Sequence, residues 1–489
     1  MTPLIGLLVG AFLGPKGVPR AQNVARPRNV LFLFSDDQRC DTIAAYGNDH
    51  IRTPTLDGLV RRGFSFRRAY CMGSIHGAVC QPSRAMLMTG RTLYRVPMDM
   101  SGCAMLPELL RKRGFRTFGT GKWHNGKASF RRGFERGVAV MLGGMSNHER
   151  VPVQDLGANG KFGPRRVGAK FSSELFADAA VDFLRQQAVT TSGGVRPFFA
   201  YVAFTAPHDP RQPPKRLRAV YKKSPPPLPR NFMPQHPFNN GWLTGRDEQL
   251  AAWPRSRKVV QRQLGEYYGM ITHLDEQIGR ILATLHATGL DQSTLVVFAS
   301  DHGLALGSHG LLGKQSLYEH SMRTPLILAG PGVPADGSSR ALVYLYDVFP
   351  TLCDLLGVQV PPGVEGKSLA GILAGREGSV RATLFTTYEN SQRAVRGPRW
   401  KLMRYPRIDK TVLFDLLNDP DELYDLAVAP MYRGRVASLV TLLKDWQRRV
   451  DDPHPFTAKR LTSAVIDLSG RARKPDRWQP RWIVDLYFR

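Results

Sequence analysis

Only five cysteines are spread through 489 residues, too few to staple a disulfide scaffold, and the odd count leaves at least one thiol unpaired if the others bridge. No apolar run approaches the roughly 20 residues that a membrane-spanning helix needs. Acidic residues are scarce as well, with 40 Asp and Glu against 68 Lys and Arg and a formal net charge of +28. Such an excess suits a polyanionic partner, whether nucleic acid, an anionic membrane surface, or a sulfated or phosphorylated substrate; it equally suits a basic surface without a specific partner. No helix-turn-helix, zinc-finger or RNA-recognition signature accompanies the charge, so nucleic acid is not expected as a partner.

What is present is ordinary globular usage, 42% hydrophobic, 9% aromatic and 22% charged, which excludes a disordered, collagenous or coiled-coil chain. Pro3–Leu13 form a short apolar run followed by Gly, Pro and Ala. It looks like the central region of a secretory signal, although no Lys or Arg precedes it. Residues 1–23 are therefore read as a signal or disordered tail, and export to the periplasm or the exterior is expected.

Three apolar runs of strand length stop abruptly at polar residues: Asn29–Phe34 at Ser35-Asp36-Asp37, Pro197–Phe204 at Thr-Ala-Pro-His, and Thr294–Ser300 at Asp301-His302-Gly303. Such runs suit strands buried on both faces of a parallel sheet. Pro54 opens a helical stretch to about Arg62, Phe64–Ala69 reads as a further strand, and Val259–Thr288 supplies a long amphipathic crossover helix. Strands alternating with helices predict a doubly wound α/β sheet, whose ligands gather at the carboxyl ends of its strands. Residues Pro207–Pro254 hold 11 of the 36 prolines and read as an excursion beside the pocket. After about Gly375 the segments shorten. Lys401–Tyr405 and Val412–Leu416 suggest an antiparallel subdomain, Leu439–Val450 a terminal helix, and the last twenty residues are basic and aromatic. The expected organisation is a catalytic domain over 24–375 and a smaller α+β subdomain over 376–489.

The strongest local signal is Cys80-Gln81-Pro82-Ser83-Arg84, continuing to Thr89-Gly90-Arg91. Pro82 suits the first turn of a helix, which places Cys80 at a helix N-terminus, where free N–H groups and the dipole favour an anion. From the residues alone this is an activated cysteine nucleophile or a buried structural thiol. Asp36, Asp37 and Asp301 are carboxylates at strand ends, able to form a divalent-cation site, although an Asp-Asp pair there is as readily a turn or a cap. Cys71 and Cys103 are read as structural; Cys40 and Cys353 carry no chemical signal.

Cys-x-Pro-Ser-Arg followed by Thr-Gly-Arg resembles the signature of the type I sulfatases of the alkaline phosphatase superfamily. Ser-Asp36-Asp37, Gly121-Lys122-Trp123-His124, Ala-Pro-His208-Asp209-Pro, Ser-Asp301-His302-Gly303, Gly313-Lys314 and the C-terminal LFDLLNDPDELYD stand in that family's order, from about Asn29 to about Ala429. The resemblance implies a mixed, mostly parallel sheet flanked by helices, with a short antiparallel sheet in the C-terminal subdomain. It implies conversion of Cys80 to formylglycine by a maturation enzyme. It also implies a divalent cation, most readily Ca²⁺, held by Asp36, Asp37, Asp301, His302 and position 80. Many members carry Asn where this chain has His302, and some exo-acting sulfatases, such as those acting on iduronate, resemble it in having His. An imidazole suits Mn²⁺ or Zn²⁺ better than Ca²⁺.

The mechanism so implied begins with the hydrated aldehyde at position 80, one of whose hydroxyls attacks sulfur. Lys122 and Lys314 hold the sulfate oxygens, His208 or Lys314 protonates the leaving oxygen, His124 takes the second hydroxyl's proton, and Arg84 holds the diol. His309 and His320 could join the pocket, and Asp209 and Arg211 could touch substrate or brace their loop. The expected substrate is a sulfate ester, carried on a glycan or another small molecule. The competing expectations are a phosphonate monoester or phosphodiester hydrolase of the same superfamily, which tends to carry Gln at the second Asp and lacks the Gly-Lys-Trp-His arrangement, and a non-catalytic polyanion-binding protein.

Overall fold

The computed structural model describes residues 26–189 and 196–488; the apolar run at residues 3–13 lies outside them. Asn29–Ser35 is buried at every position because it is a central strand. It pairs in parallel with Thr294–Ser300 on one side and with Phe198–Ala203 on the other. Successive side chains of a strand point to opposite faces. Leu31 and Leu33 accordingly enter one core with Phe176, Met270 and Ile278 of the helices Ser172–Val189 and Arg257–Ala287, whereas Val30, Phe32 and Phe34 enter another with Met86 of the helix Cys80–Thr89. Both faces are covered, which is why the strand reads as an unbroken apolar run.

Arg116–Lys122 and Arg136–Met141 continue the sheet in parallel beyond Phe198–Ala203. On the far side Leu326–Ala329 runs antiparallel to both its neighbours, Thr294–Ser300 and Gly63–Phe66, and Gly337–Ser339 pairs in parallel with Gly63–Phe66, giving a ten-stranded, mixed and mostly parallel sheet. The expected single strand Phe64–Ala69 is in fact two. Gly63–Phe66 lies in the main sheet, and after a turn at Arg67-Arg68 the pair Ala69–Tyr70 moves to a three-stranded sheet with Arg323–Thr324 and Val343–Tyr344. The helix predicted from Pro54 is observed as Pro54–Arg62. Its N-terminus is capped from a distance, by the Asp275 carboxylate accepting the Thr55 and Leu56 N–H groups at 3.0 and 2.8 Å.

In the C-terminal part Leu384–Tyr388, Gln392–Arg396, Trp400–Tyr405 and Lys410–Asp415 form an antiparallel sheet. Gly73–Ser74 joins its edge in parallel, so this sheet buttresses the segment that leads into Cys80. The helix expected as terminal begins earlier, at Arg433, and ends at Arg449; a later helix, Arg481–Tyr487, follows it. No described helix is long and apolar enough to cross a membrane, and all five thiols are free and buried.

The last helix docks through the Tyr487 hydroxyl, which donates to Glu266 Oε2 at 2.8 Å. Burial pushes the Glu266 carboxyl up to about 7 from 4.5. The folded state thus holds a proton that the unfolded chain releases, so this contribution to stability is intact below about pH 4.5 and lost as pH rises through about 7. Glu266→Gln keeps an acceptor for Tyr487 and removes the titration. Between pH 6 and 8 the parent should lose roughly 1 kcal/mol more stability than the variant, read as a steeper fall in Tm; equal pH slopes would refute the assignment.

Candidate active site

The chemistry-bearing residues sit at the carboxyl edge of the parallel strands, and register explains why they meet. Ser35 pairs with Ser300, so Asp36-Asp37 and Asp301-His302 leave adjacent strands at the same depth, and the Asp37 N–H donates to Asp301 Oδ1 at 3.0 Å. Lys122 ends the strand Arg116–Lys122 beyond an irregular register between Gly119 and Gly121. A Cβ at Gly121, whose φ is +85°, would lie 1.8 Å from the Ala203 carbonyl oxygen, so only glycine permits this approach. The chain is thereby turned to send Lys122 and His124 toward the helix Cys80–Thr89, where Cys80 is the first residue. Asp37 and His124 themselves hold positive φ, 66° and 70°, backbone strain of the kind that collects at functional sites.

Three carboxylates and three cations are buried together. Lys122 Nζ is 2.5 Å from Asp36 Oδ2, and Lys314 Nζ is 2.9 Å from each Asp37 oxygen. Arg84 donates to Asp301 Oδ2 at 3.1 Å, to the Lys122 carbonyl at 2.9 Å and to the Tyr201 hydroxyl. Their formal charges cancel, which is the condition for keeping them out of water, and burial, opposed by Lys314, raises Asp37 well above the ordinary carboxylate range. Arg84 therefore braces the carboxylates of the site, and it stands near enough to Cys80 for their charges to interact.

Two histidines of the site, His124 and His208, are held neutral. Burial first, then Lys122 and Arg84, push His124 down to about 3, and its Nδ1 lies 3.3 Å from Cys80 Sγ. Burial and the adjoining Lys314 cation hold His208 well below its ordinary value. His208 Nδ1 donates to the Asp209 carbonyl at 2.8 Å, which leaves Nε2 to accept from Lys314 Nζ at 2.9 Å. Of the two residues expected to protonate a leaving group, Lys314 is the one that carries the proton. Against the burial that would lower it, Asp37 and then Asp247 hold Lys314 well above its ordinary value.

A cation site fits the remaining atoms. His302 Nδ1 donates to the Gly303 carbonyl at 2.9 Å; its Nε2 and Asp36 Oδ1 are buried and without a hydrogen-bond partner, the latter 3.5 Å from the Arg84 guanidinium. Asp36, Cys80, Asp301 and His302 offer ligand atoms that all lie within 4.8 Å of one another. Asp37 stands at the edge of this group, its Oδ1 3.4 Å from His302 Nε2 and both oxygens clamped by Lys314.

The remaining expectations separate. Asp209 accepts two N–H groups of Arg246 and one of Gln479, and Arg211 donates to Gln263 Oε1 at 2.7 Å; both brace their loop. His309 lies stacked on Tyr318, its ring centroid 3.8 Å away, and its Nε2 bonds the Glu422 carbonyl. His320 joins that aromatic cluster, so neither histidine is brought to Cys80. Three residues carried no sequence signal. Asp247, 3.9 Å from Lys314, emerges from the proline-rich excursion. His148, bonded to Ser172 and to the His208 carbonyl, supports the His208 loop. His76 stands near enough to His124 for their charges to interact, on the partly exposed rim.

The geometry now meets its relatives. A sulfatase family model matches residues 28–358, well over half of the chain, and a model of the C-terminal part of N-sulphoglucosamine sulphohydrolase matches residues 307–449. The chain belongs to the sulfatase family. It is a sulfuric ester hydrolase by that membership. An N-acetylglucosamine-6-O-sulfatase of Bacteroides thetaiotaomicron is 25% identical, with 89% of each chain covered. Among solved structures, one in complex with its substrate D-glucosamine-2-N,6-O-disulfate has a TM-score of 0.73 at 23% identity, covering 88% of this chain and 99% of that one. A phosphonate monoester hydrolase from Silicibacter pomeroyi shares the fold at a TM-score of 0.66 and 23% identity, over 86% and 95% of the two chains. The expected fold class stands: a mostly parallel sheet with helices and a smaller antiparallel part.

Proposed function

We propose that this sulfatase hydrolyses a sulfate ester borne on a carbohydrate, with position 80 carried as formylglycine and one divalent cation held by Asp36, Asp301, His302 and position 80. The observation that carries the reading is the convergence at Cys80: a buried residue at a helix N-terminus, grouped with ligand atoms of Asp36, Asp301 and His302 within 4.8 Å of one another and faced by two buried lysines. An ion in this donor set would supply Lewis acidity that favours a deprotonated oxygen at position 80. Carboxylates with one imidazole suit Ca²⁺, Mn²⁺ or Zn²⁺ in turn as the nitrogen gains weight.

The chain's own groups supply the rest. Once a cation compensates the carboxylates, Lys122 and Lys314 are free to hold sulfate oxygens, where charge grows in the transition state. Lys314, polarised by His208 and Asp247, delivers a proton to the leaving oxygen. His124, neutral and beside position 80, accepts one. The substrate class is supported by the carbohydrate substrates named for the relative and the structural neighbour, and by the basic balance of the chain.

The test is a hydrolysis screen of sulfated monosaccharides and glycosaminoglycan disaccharides beside phosphate diesters and phosphonate monoesters, with enzyme co-produced with a maturation system. Preferred turnover of sulfate is expected; preferred turnover of phosphonate would overturn the reading. In the same assay Lys122→Ala should lose about 3–4 kcal/mol of transition-state stabilisation, a hundred- to thousandfold in kcat, at saturating divalent cation. An unchanged kcat would remove Lys122 from the sulfate clamp.

A further inference from the structure

The basic and aromatic C-terminal stretch lies beyond both matched regions, the second of which ends at residue 449, and none of the chemistry above uses it. The structure nevertheless ties it to the site. Arg246 bridges Asp209, at 2.6 Å to Oδ1, and Asp476, at 3.0 Å from Nε. Gln479 Nε2 donates to Asp209 Oδ2 at 2.9 Å. Asp209 adjoins His208, so residues 476–479 are pinned at the edge of the catalytic loop.

Arg477 and Trp478, held there, wall two adjoining hollows of about 450 and 600 Å³ that also share Pro152 and Arg165. One includes Lys127 and Gly144, the other Arg150. A Cβ at Gly144 would lie 2.6 Å from His124 Nε2, so one wall residue of the groove packs against the histidine beside position 80. Lys127, Arg150, Arg165 and Arg477 are exposed, and among the described residues none of the four pairs with a carboxylate; Arg166, next to them, is paired with Asp155 at 2.9 Å. Arg477 lies over the Trp478 ring at 4.5 Å. Unpaired guanidinium groups bind planar or tetrahedral oxyanions through paired N–H donors, and a partly exposed indole offers a flat apolar face to a sugar ring.

We propose that this groove binds further anionic sugar units, so that the enzyme takes an oligosaccharide bearing several negative charges and not merely one sulfated sugar. The proposal rests on the carbohydrate sulfatase reading and assigns the C-terminal stretch as the wall that sets chain preference.

Binding and turnover test the two readings separately. Full-length protein with unconverted Cys80 is titrated calorimetrically with a size-defined heparin tetrasaccharide. Arg165→Ala combined with Arg477→Ala, both at exposed positions, should weaken binding roughly tenfold and flatten its salt dependence; Trp478→Ala should weaken it too. Unchanged affinity in the double variant would overturn the proposal, as would an oligonucleotide of equal charge binding as tightly as the tetrasaccharide. In matured enzyme the double variant should keep the parent rate on 4-methylumbelliferyl sulfate while losing kcat/KM on the tetrasaccharide. Equal losses on both substrates would overturn it. A parent that binds the tetrasaccharide through these arginines yet does not hydrolyse it would uphold the groove and strike down the carbohydrate-sulfate reading instead.

Discussion

Cys80→Ala is expected to remove turnover of every sulfate ester, by roughly ten-thousandfold or more, as loss of a nucleophile does when the rest of a site survives. The survival is argued from the structure. Cys80 is buried at the start of its helix, and its sulfur lies at hydrogen-bonding distance from His124 Nδ1, at 3.3 Å. The carboxylate–cation network around Arg84, Lys122 and Lys314 does not pass through it. Truncation removes one buried atom, which costs about 1 kcal/mol, so the melting temperature should hardly move while the rate collapses. The same experiment separates thiol from formylglycine. Enzyme made without a maturation system keeps Cys80 and should be as inactive as the alanine variant, whereas active preparations should show the aldehyde at position 80 by peptide mass analysis. Full activity with only the thiol present would refute the proposed nucleophile.

Much of this site could be read in the sequence because of how a parallel sheet is built. Strands covered on both faces appear as unbroken apolar runs such as NVLFLF and TLVVFAS, and the polar residues that end them must stand at the sheet's carboxyl edge. Asp36, Asp37 and Asp301 are legible on that ground alone, and the family resemblance adds His302 as a ligand. The cysteine motif and the two Gly-Lys pairs were legible through their order along the chain. What escaped depends on contacts between segments far apart. Asp247 lies in a proline-rich stretch without periodicity, and only the folded chain brings it within 3.9 Å of Lys314. His309 and His320 share a segment with Lys314, yet the turn at Gly307–Gly310, with positive φ at Gly307, His309 and Gly310, sends His309 back to stack on Tyr318. Arg84 was expected one turn from position 80, and it is, but the residues that claim its guanidinium come from three other strands. The helix Arg481–Tyr487 went unpredicted because Glu266, the residue that docks it, is 221 positions away.

Asp301→Asn should be nearly as damaging as loss of Cys80, for a reason that the hydrogen bonds make specific. Asp301 Oδ1 accepts the backbone N–H groups of Asp37 and His302, both at 3.0 Å, while Oδ2 accepts from Arg84 at 3.1 Å. Every partner is a donor, and an asparagine has only one oxygen to offer. If that oxygen keeps the two backbone bonds, the new amide NH₂ faces the Arg84 guanidinium, donor against donor. If it turns to Arg84, two buried N–H groups lose their acceptor. Either way one to three kcal/mol of hydrogen bonding is lost. The charge balance tips as well, because the buried cations lose one of their carboxylate partners and a divalent ion would enter a site with one negative charge fewer. Affinity for the cation should fall at least a hundredfold, and kcat roughly a thousandfold. In the parent, added Ca²⁺ or Mn²⁺ should raise Tm in proportion to the logarithm of its concentration above Kd, and in the asparagine variant that rise should vanish over the same range. Retained metal by elemental analysis together with undiminished turnover would show that Asp301 is a structural acceptor and that the cation, if one binds, is held elsewhere.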